Sequence, residues 1–548
     1  MLYLALMRRI VCLMVLLLPA WWAWAQDEEI LRAARCLSGV SALEEVDEYW
    51  VTRLEALSGR RIRLNAAHPR AEGLLSDYQL ASLADYRAAA GDILSWEELS
   101  LVDGFSREWV AAMRPFLSLE SARLPGATDT VRLRSNTLVR ATLKNVGAKT
   151  RLTAEHWRAG AAWRGSDGTF YAEGAWRRHS LVLGDFNVRL GQGLAFWSGF
   201  SMESLSTVDA FIRRTPGVSP VWSYTSSNVW RGGVYSYAST HWRGYAFASL
   251  RGDVGGHVDW LARYGQAGIS AGWEDGLTLS ADTRWNWRGM DYAGELALKN
   301  GSLAGLAAVR RSSGPLKWTL QGRVLPSRYR GKKYGEYALA GGLAFQSRRW
   351  RTLAGQTGFG SSVPTHQASL TVDAALLPIP MEAPGRLQIR LWGGWQWQFA
   401  SAWALDMRLT ERYRNYERPR TALRADVKFS HLPWLATFRA EGVHCEMFGS
   451  LSYLEGGYRS EAAAAYIRIT GFLADNWADR IWCYERDAPG TFSVPAYSGR
   501  GAALSLVGSW KHRFGRRLTL KAYLRAGWTV RTGNTPTPTL NFQLHCDL

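Results

Sequence analysis

Beyond about residue 126, apolar and polar positions alternate with a period of two, in short runs separated by Gly-, Asn-, Asp- or Ser-containing breaks. LVLGDFNVRL (181–190), WRGGVYSYA (230–238), LTLSADTRWNW (277–287), LQIRLWGGWQWQ (387–398) and LTLKAYLRAGW (518–528) are clear cases. Such a period puts alternate side chains on opposite faces of a strand. The last segment, LNFQLHCDL, places Leu540, Phe542, Leu544, Cys546 and Leu548 on one face and Asn541, Gln543, His545 and Asp547 on the other. Strands recur over some 423 residues with nothing helical between them, so the pairing predicted is antiparallel. An open sheet of that size would expose long edges, which closure removes. The fold class expected is therefore mainly β: a large antiparallel transmembrane barrel of roughly 20–24 strands. A chain ending on a strand suits closure, with residues 540–548 as the barrel-closing strand. Its apolar face is then expected toward lipid and its polar face toward the lumen. On that reading Leu544→Arg is costly and Gln543→Arg tolerated.

Residues 26–125 carry a different signature. Ser76-x-x-Gln79 and Ser95-x-x-Glu98 are capping boxes, followed by apolar residues at helical spacing, with Gly91 as a C-terminal stop. Asp103-Gly104-Phe105 is a tight turn, and Ser106 opens a further helix that ends near Pro115. The prediction is a small all-α domain over 26–125, with a helix-hairpin-helix at 62–119, joined to a barrel over 126–548 through Leu124-Pro125-Gly126-Ala127. Residues 1–25 read as a secretory signal peptide: Arg8 and Arg9, a nine-residue apolar run from Ile10 to Leu18, and Ala23-Trp24-Ala25 before the cut. That run is too short to span a membrane.

Composition sharpens the barrel reading. The chain holds 28 Trp, 22 Tyr and 54 Gly, at a mean hydropathy of −0.19. Abundant aromatics on short alternating segments suit two interfacial girdles. Charge divides the chain: residues 26–125 hold 11 Lys and Arg against 17 Asp and Glu, and residues 126–548 hold 53 against 30. An acidic helical part thus precedes a strongly basic barrel.

Two sets of motifs resemble known families. Residues 62–119, with Leu64-Asn65-x-Ala67, Tyr86-Arg87, Gly91 and Gly104, resemble the ComEA-like helix-hairpin-helix domain, whose hairpin amides hold DNA phosphate. LVLGDFNVRLGQGLAFWSGF (181–200) and RIWCYERDAPGTFSVPAYSGRGAALSL (480–506) resemble signatures of a Gram-negative outer-membrane barrel family with an N-terminal helix-hairpin-helix domain. Their marked positions here are Gly184, Asp185, Gly191, Gln192 and Gly193, then Arg480, Tyr484, Glu485, Ser498 and Gly499. The resemblance implies an outer-membrane location, with the helical domain in the periplasm or lumen. The residues qualify the DNA implication. The turns Gly73-Leu74-Leu75-Ser76 and Asp103-Gly104-Phe105-Ser106 each keep one glycine, and residues 62–119 hold five Arg, no Lys and eight acids. DNA affinity rests largely on basic contacts to phosphate, so DNA is disfavoured. Asp103, Gly104, Phe105, Ser106 and Arg107 remain the candidate phosphate or partner contacts.

Catalytic patterns are missing. No His-Glu-x-x-His or Cys-x-x-Cys occurs, the glycine turns are not followed by a helix bearing Lys-Ser/Thr, and no Ser-His pair is singled out by spacing. No enzyme activity, cofactor or metal is expected, and Cys36, Cys445, Cys483 and Cys546 suggest no particular disulfide. The function expected is a conduit or translocation component whose basic lumen favours anionic cargo. DNA uptake and a structural role in a larger envelope complex are the alternatives. The partners expected are outer-membrane lipid, the barrel-assembly machinery and other envelope proteins.

Overall fold

A computed structural model describes residues 26–548 apart from 58–60, 67–73, 121–132, 155, 199–203, 263, 332–333, 348–365, 378–385, 461, 490, 492 and 516–517. The signal segment, Gly73 and the junction at 124–127 lie outside the described residues. What dominates is a closed barrel of 24 antiparallel strands, from Arg134–Thr142 to Thr537–Asp547, each paired with its sequence neighbour. The last strand pairs with the first, Asn541 opposite Thr142 and Asp547 opposite Asn136, so no edge remains open.

The alternation sets the two faces. On Thr537–Asp547, Phe542 and Leu544 are exposed outward while Asn541, Gln543 and His545 are buried inward. The same split runs round the wall: Leu277, Ile269, Leu296, Leu339, Leu423 and Ile469 point out, and Asp282, Ser270, Glu295, Asp373 and Asp426 point in. Most exposed tryptophans stand at one rim, the one where Arg134–Thr142 begins and Thr537–Asp547 ends, while Trp163 and Trp273 stand at the other. Trp157, Trp176, Trp242, Trp260, Trp287, Trp403 and Trp434 all stand at strand ends on that side. An apolar belt, an interfacial aromatic girdle and an even number of antiparallel strands are the architecture of an outer-membrane barrel.

Three pieces occupy the interior. The first is the helical module: helices Gln26–Ser38, Glu48–Ala56, Asp77–Ala90, Trp96–Leu99 and Arg107–Met113. Their apolar faces share one core around Ala33, Leu54, Leu64, Leu83, Leu99 and Met113. Both capping boxes are formed, with Ser76 accepting from the Gln79 amide and Ser95 from the Glu98 amide. Asn65 crosslinks the module by bonding Ile93 and Leu119 backbone. The second and third pieces are described parts of two wall connections, residues 190–198 with 204–229, and residues 475–498 apart from 490 and 492. Because strands alternate in direction, both leave from the rim opposite the tryptophan girdle before folding inward.

The lumen is consequently packed around Gln543, which bears on one expectation. Gln543 is 0% exposed. It accepts from Arg140 Nε at 2.9 Å and Nη2 at 2.7 Å, and donates to the Pro489 carbonyl at 3.0 Å. An arginine there would face Arg140 in a buried setting, so Gln543→Arg is expected to be costly.

Candidate functional site

The acidic surface of the helical module meets arginines that project from the wall. Glu44 is the centre of the contact. Its Oε1 lies 2.6 Å from Arg439 Nη1 and its Oε2 lies 3.0 Å from Arg424 Nη1. Both arginines also bind Asp426, at 2.6 and 2.7 Å, so two cations and two anions form a closed group. Glu45 binds Arg408, Asp47 binds Arg189 at 2.6 Å, and Glu28 bridges Arg459 and Arg486 at 2.5 and 3.1 Å. Arg189 also stacks over Tyr49, 4.0 Å from the ring centroid. The short helix Leu43–Glu45 and the start of Glu48–Ala56, capped by Asp47 on the Tyr49 amide, aim these carboxylates at the wall. Burial on its own would raise the Glu44 pKa; the Arg424 and Arg439 guanidiniums more than offset it and hold the carboxyl well below its usual range.

Both interior connections brace this contact, and the family-signature positions lie on them or at their roots. Gly191-Gln192-Gly193 is a tight turn with positive φ at both glycines, +58 and +87. Its amides hold an anion that the chain itself supplies: Glu295 accepts from Gln192 N at 2.6 Å, Leu194 N at 3.0 Å and Ala195 N at 3.1 Å. A nest of backbone N–H groups is an anion site by geometry, here filled by a carboxylate from the wall. Gly184, φ +108, lets the backbone approach Phe170, where a Cβ would stand 2.3 Å from the carbonyl oxygen. Asp185, fully buried, binds Arg231 at 2.7 Å and the Phe170 amide at 2.8 Å.

On the second connection, the Tyr484 amide donates to Glu44 at 3.1 Å and the Tyr484 carbonyl accepts from Arg468 at 2.7 Å. Glu485 pairs with Arg525 and Tyr497, and Asp487 with Arg525 at 2.8 Å. Arg480 bonds the Trp477 carbonyl at 2.7 Å and stacks on its ring. The Ser498 carbonyl accepts from Arg531 at 3.3 Å, and Gly499, φ +81, turns the chain back into the wall. These positions thus gather around the residues that hold the helical module against the wall.

A cavity of about 1670 Å³ remains between the module and the wall. Arg and Lys outnumber carboxylates on its lining by about two to one, with Arg213, Arg214, Arg284, Arg310 and Lys317 among them. The second hairpin borders it, and Asp103, Gly104, Phe105, Ser106 and Arg107 all line this space. The Phe105 amide donates to the Val102 carbonyl at 3.1 Å, and the Gly104 carbonyl accepts from Gln79 at 2.7 Å. Of the module's arginines, Arg87 bonds the Asn65 and Ala66 carbonyls and Arg114 covers Trp96.

Sequence reasoning named the hairpin and the signature glycines but missed Glu28, Glu44, Glu45, Asp47 and their arginine partners. The signal that points to them is the opposite charge of the two parts, which says that they attract without saying which residues touch.

No family profile and no curated protein matches the chain, so both family resemblances stand on their quoted motifs. Among solved structures, the translocation pore of the P pilus usher (PapC) is similar over 76% of this chain and 98% of that one, at 10% identity and a TM-score of 0.36. The outer-membrane protein opdK from Pseudomonas aeruginosa covers 76% and 98%, at 8% identity and 0.30. The FpvAI–pyocin S2 complex covers 76% and 73%, at 9% and 0.38.

Proposed function

We propose that this protein is an outer-membrane translocation conduit for anionic cargo, stoppered by its own helix-hairpin-helix module and opened by releasing that module from the wall. The observation that carries the reading is the set of ion pairs from Glu28, Glu44, Glu45 and Asp47 to six wall or connection arginines. Freed of the module, those arginines join the basic cavity lining and give the pore a field favouring anions. A buried pair is weak evidence for stability, because desolvation cancels much of the attraction, but it fixes register and suits a contact that must let go.

Planar-bilayer conductance tests this. The wild type should be closed or nearly so, and the doubly neutralised variant Glu44→Gln/Asp47→Asn should show large, anion-selective openings. Cation selectivity, or silence in both proteins, would leave the structural-anchor alternative in possession. DNA capture is less well supported, since the hairpin amide and carbonyl described above are already bonded and two of the module's arginines are used internally.

A further inference from the structure

Apart from the plug, three buried residues on adjacent wall strands converge on one point. His257 and Asp259 lie on Val254–Ala262, and Asp282 lies on Leu277–Trp287; the strand between them, Gly265–Trp273, contributes Gly268 and Ser270. His257 and Asp259 are each 3% exposed and Asp282 is 7% exposed. The His257 ring nitrogens stand 2.8 Å from Asp259 Oδ2 and 4.0 Å from Asp282 Oδ2, and one donor atom from each residue lies within 4.8 Å of the others. We propose that His257, Asp259 and Asp282 form a binding site for one divalent transition-metal ion, with Zn2+ as the representative species, which clamps three neighbouring strands of the barrel.

Four observations support a cation over a hydrogen-bonded ring. Two carboxylates face one imidazole, and among the described residues only His257 lies within ion-pair distance of Asp259. A buried carboxylate oxygen demands a partner, yet Asp259 Oδ1 is buried with none. All three side chains press on Gly268: a Cβ there would lie 2.5 Å from Asp259 Oδ1, 2.7 Å from His257 Cε1 and 2.8 Å from Asp282 Oδ2. The glycine therefore lets the three groups close on one another. Finally, Ser270 Oγ lies 2.7 Å from His257 Nδ1, and the Tyr245 ring stacks beside it. Such a neighbour fixes the orientation of an imidazole that serves as a ligand.

One imidazole and two carboxylates are a donor set that Zn2+ accepts at about 2.0–2.2 Å, with a fourth position left to water. Nucleophilic use of Ser270 is a poorer account of the cluster, because Ser270 is 1% exposed and offers no approach to a substrate.

The test uses the full chain extracted in detergent, stripped with a chelator and titrated with Zn2+ by calorimetry, with Co2+ absorption to report the ligand set. One ion per chain is expected, with affinity falling in acid, where protons compete for the ligands. His257→Gln and Asp259→Asn should each weaken binding at least about tenfold. Gly268→Ala should do the same by pushing the three groups apart without removing a donor. Heat-modifiable migration identifies the folded fraction of each variant, and only that fraction is titrated. Absence of a stoichiometric isotherm in the folded wild type overturns the proposal and leaves a protonated imidazole shared by two carboxylates. So does an isotherm that is unchanged in His257→Gln and Asp259→Asn.

Discussion

Replacing Glu44 by Gln removes one negative charge from a group of four while nearly preserving shape. In the wild type, Arg424 and Arg439 share Glu44 and Asp426. In the variant both arginines still hold Asp426, so each keeps one ionic partner, but the group carries an uncompensated positive charge. Breaking a buried pair by removing one partner costs about 3–5 kcal/mol. The retained Asp426 contacts and the surviving hydrogen-bond capacity of Gln place this case at the low end, about 3 kcal/mol. At about 1.4 kcal/mol per decade, the docked state should lose about 100-fold in population relative to the released state. The assay is single-channel recording of reconstituted protein, with Glu97→Gln as the control because Glu97 is exposed. Open probability should rise by about two decades in Glu44→Gln and stay unchanged in Glu97→Gln. Equal behaviour of the two variants, with both barrels folded, would refute the idea that this contact holds the module in place.

Acid should mimic that substitution. The docked Glu44 carboxyl is held well below its usual range by Arg424 and Arg439. Its contribution is therefore fully present above the undocked value of about 4.3 and is lost progressively as pH falls below it; wild-type conductance should rise in that window and Glu44→Gln should be less sensitive. Leu544→Arg puts a charge on the lipid face at a cost of about 2–4 kcal/mol near the midplane, while Gln543→Arg should also reduce assembled barrel through repulsion of Arg140. Heat-modifiable yield reads both, and a wild-type yield from Gln543→Arg would show that the interior there is wet. Gly191→Ala should lower thermal stability, because a left-handed backbone costs about 1–2 kcal/mol in a non-glycine residue and the Cβ would stand 2.8 Å from the Glu295 carboxylate; a melting temperature equal to wild type argues against the nest. Purified residues 26–125 should bind duplex DNA no more tightly than about 100 µM at physiological salt, and a micromolar, salt-sensitive complex lost on Arg107→Glu would restore the uptake reading.

What the chain revealed in advance follows from the range of each signal. Period-two alternation is local, so the strands, their faces and the closure of Leu540–Leu548 on Arg134–Thr142 could be read from short windows. Capping boxes are local too, and Ser76–Gln79 and Ser95–Glu98 form as spaced. Residues 190–229 and 475–498 were not legible as interior pieces, because what marks them is the partner across the lumen: Glu295 for the Gln192 turn, Glu44 for Tyr484, Gln543 for Pro489. The His257–Asp259–Asp282 cluster needs the register of three strands, which no spacing within one strand supplies.

The same reasoning bears on Gln543. Alternation says which side chains leave the lipid, and it was taken to say that they enter water. In an empty pore the two statements coincide. Here the net acidity of residues 26–125 and the excess of arginine beyond them are two halves of one buried interface, so the polar face of a wall strand meets protein. Charge asymmetry between halves of a chain is therefore a statement about contact: a strongly basic lumen is expensive to leave unneutralised, and an acidic module encoded upstream in the same chain is the nearest source of counter-charge. On the function proposed above, the counter-ion that keeps this lumen closed is part of the same chain, and release of the cargo path would be a competition between that tethered acid and whatever anion arrives.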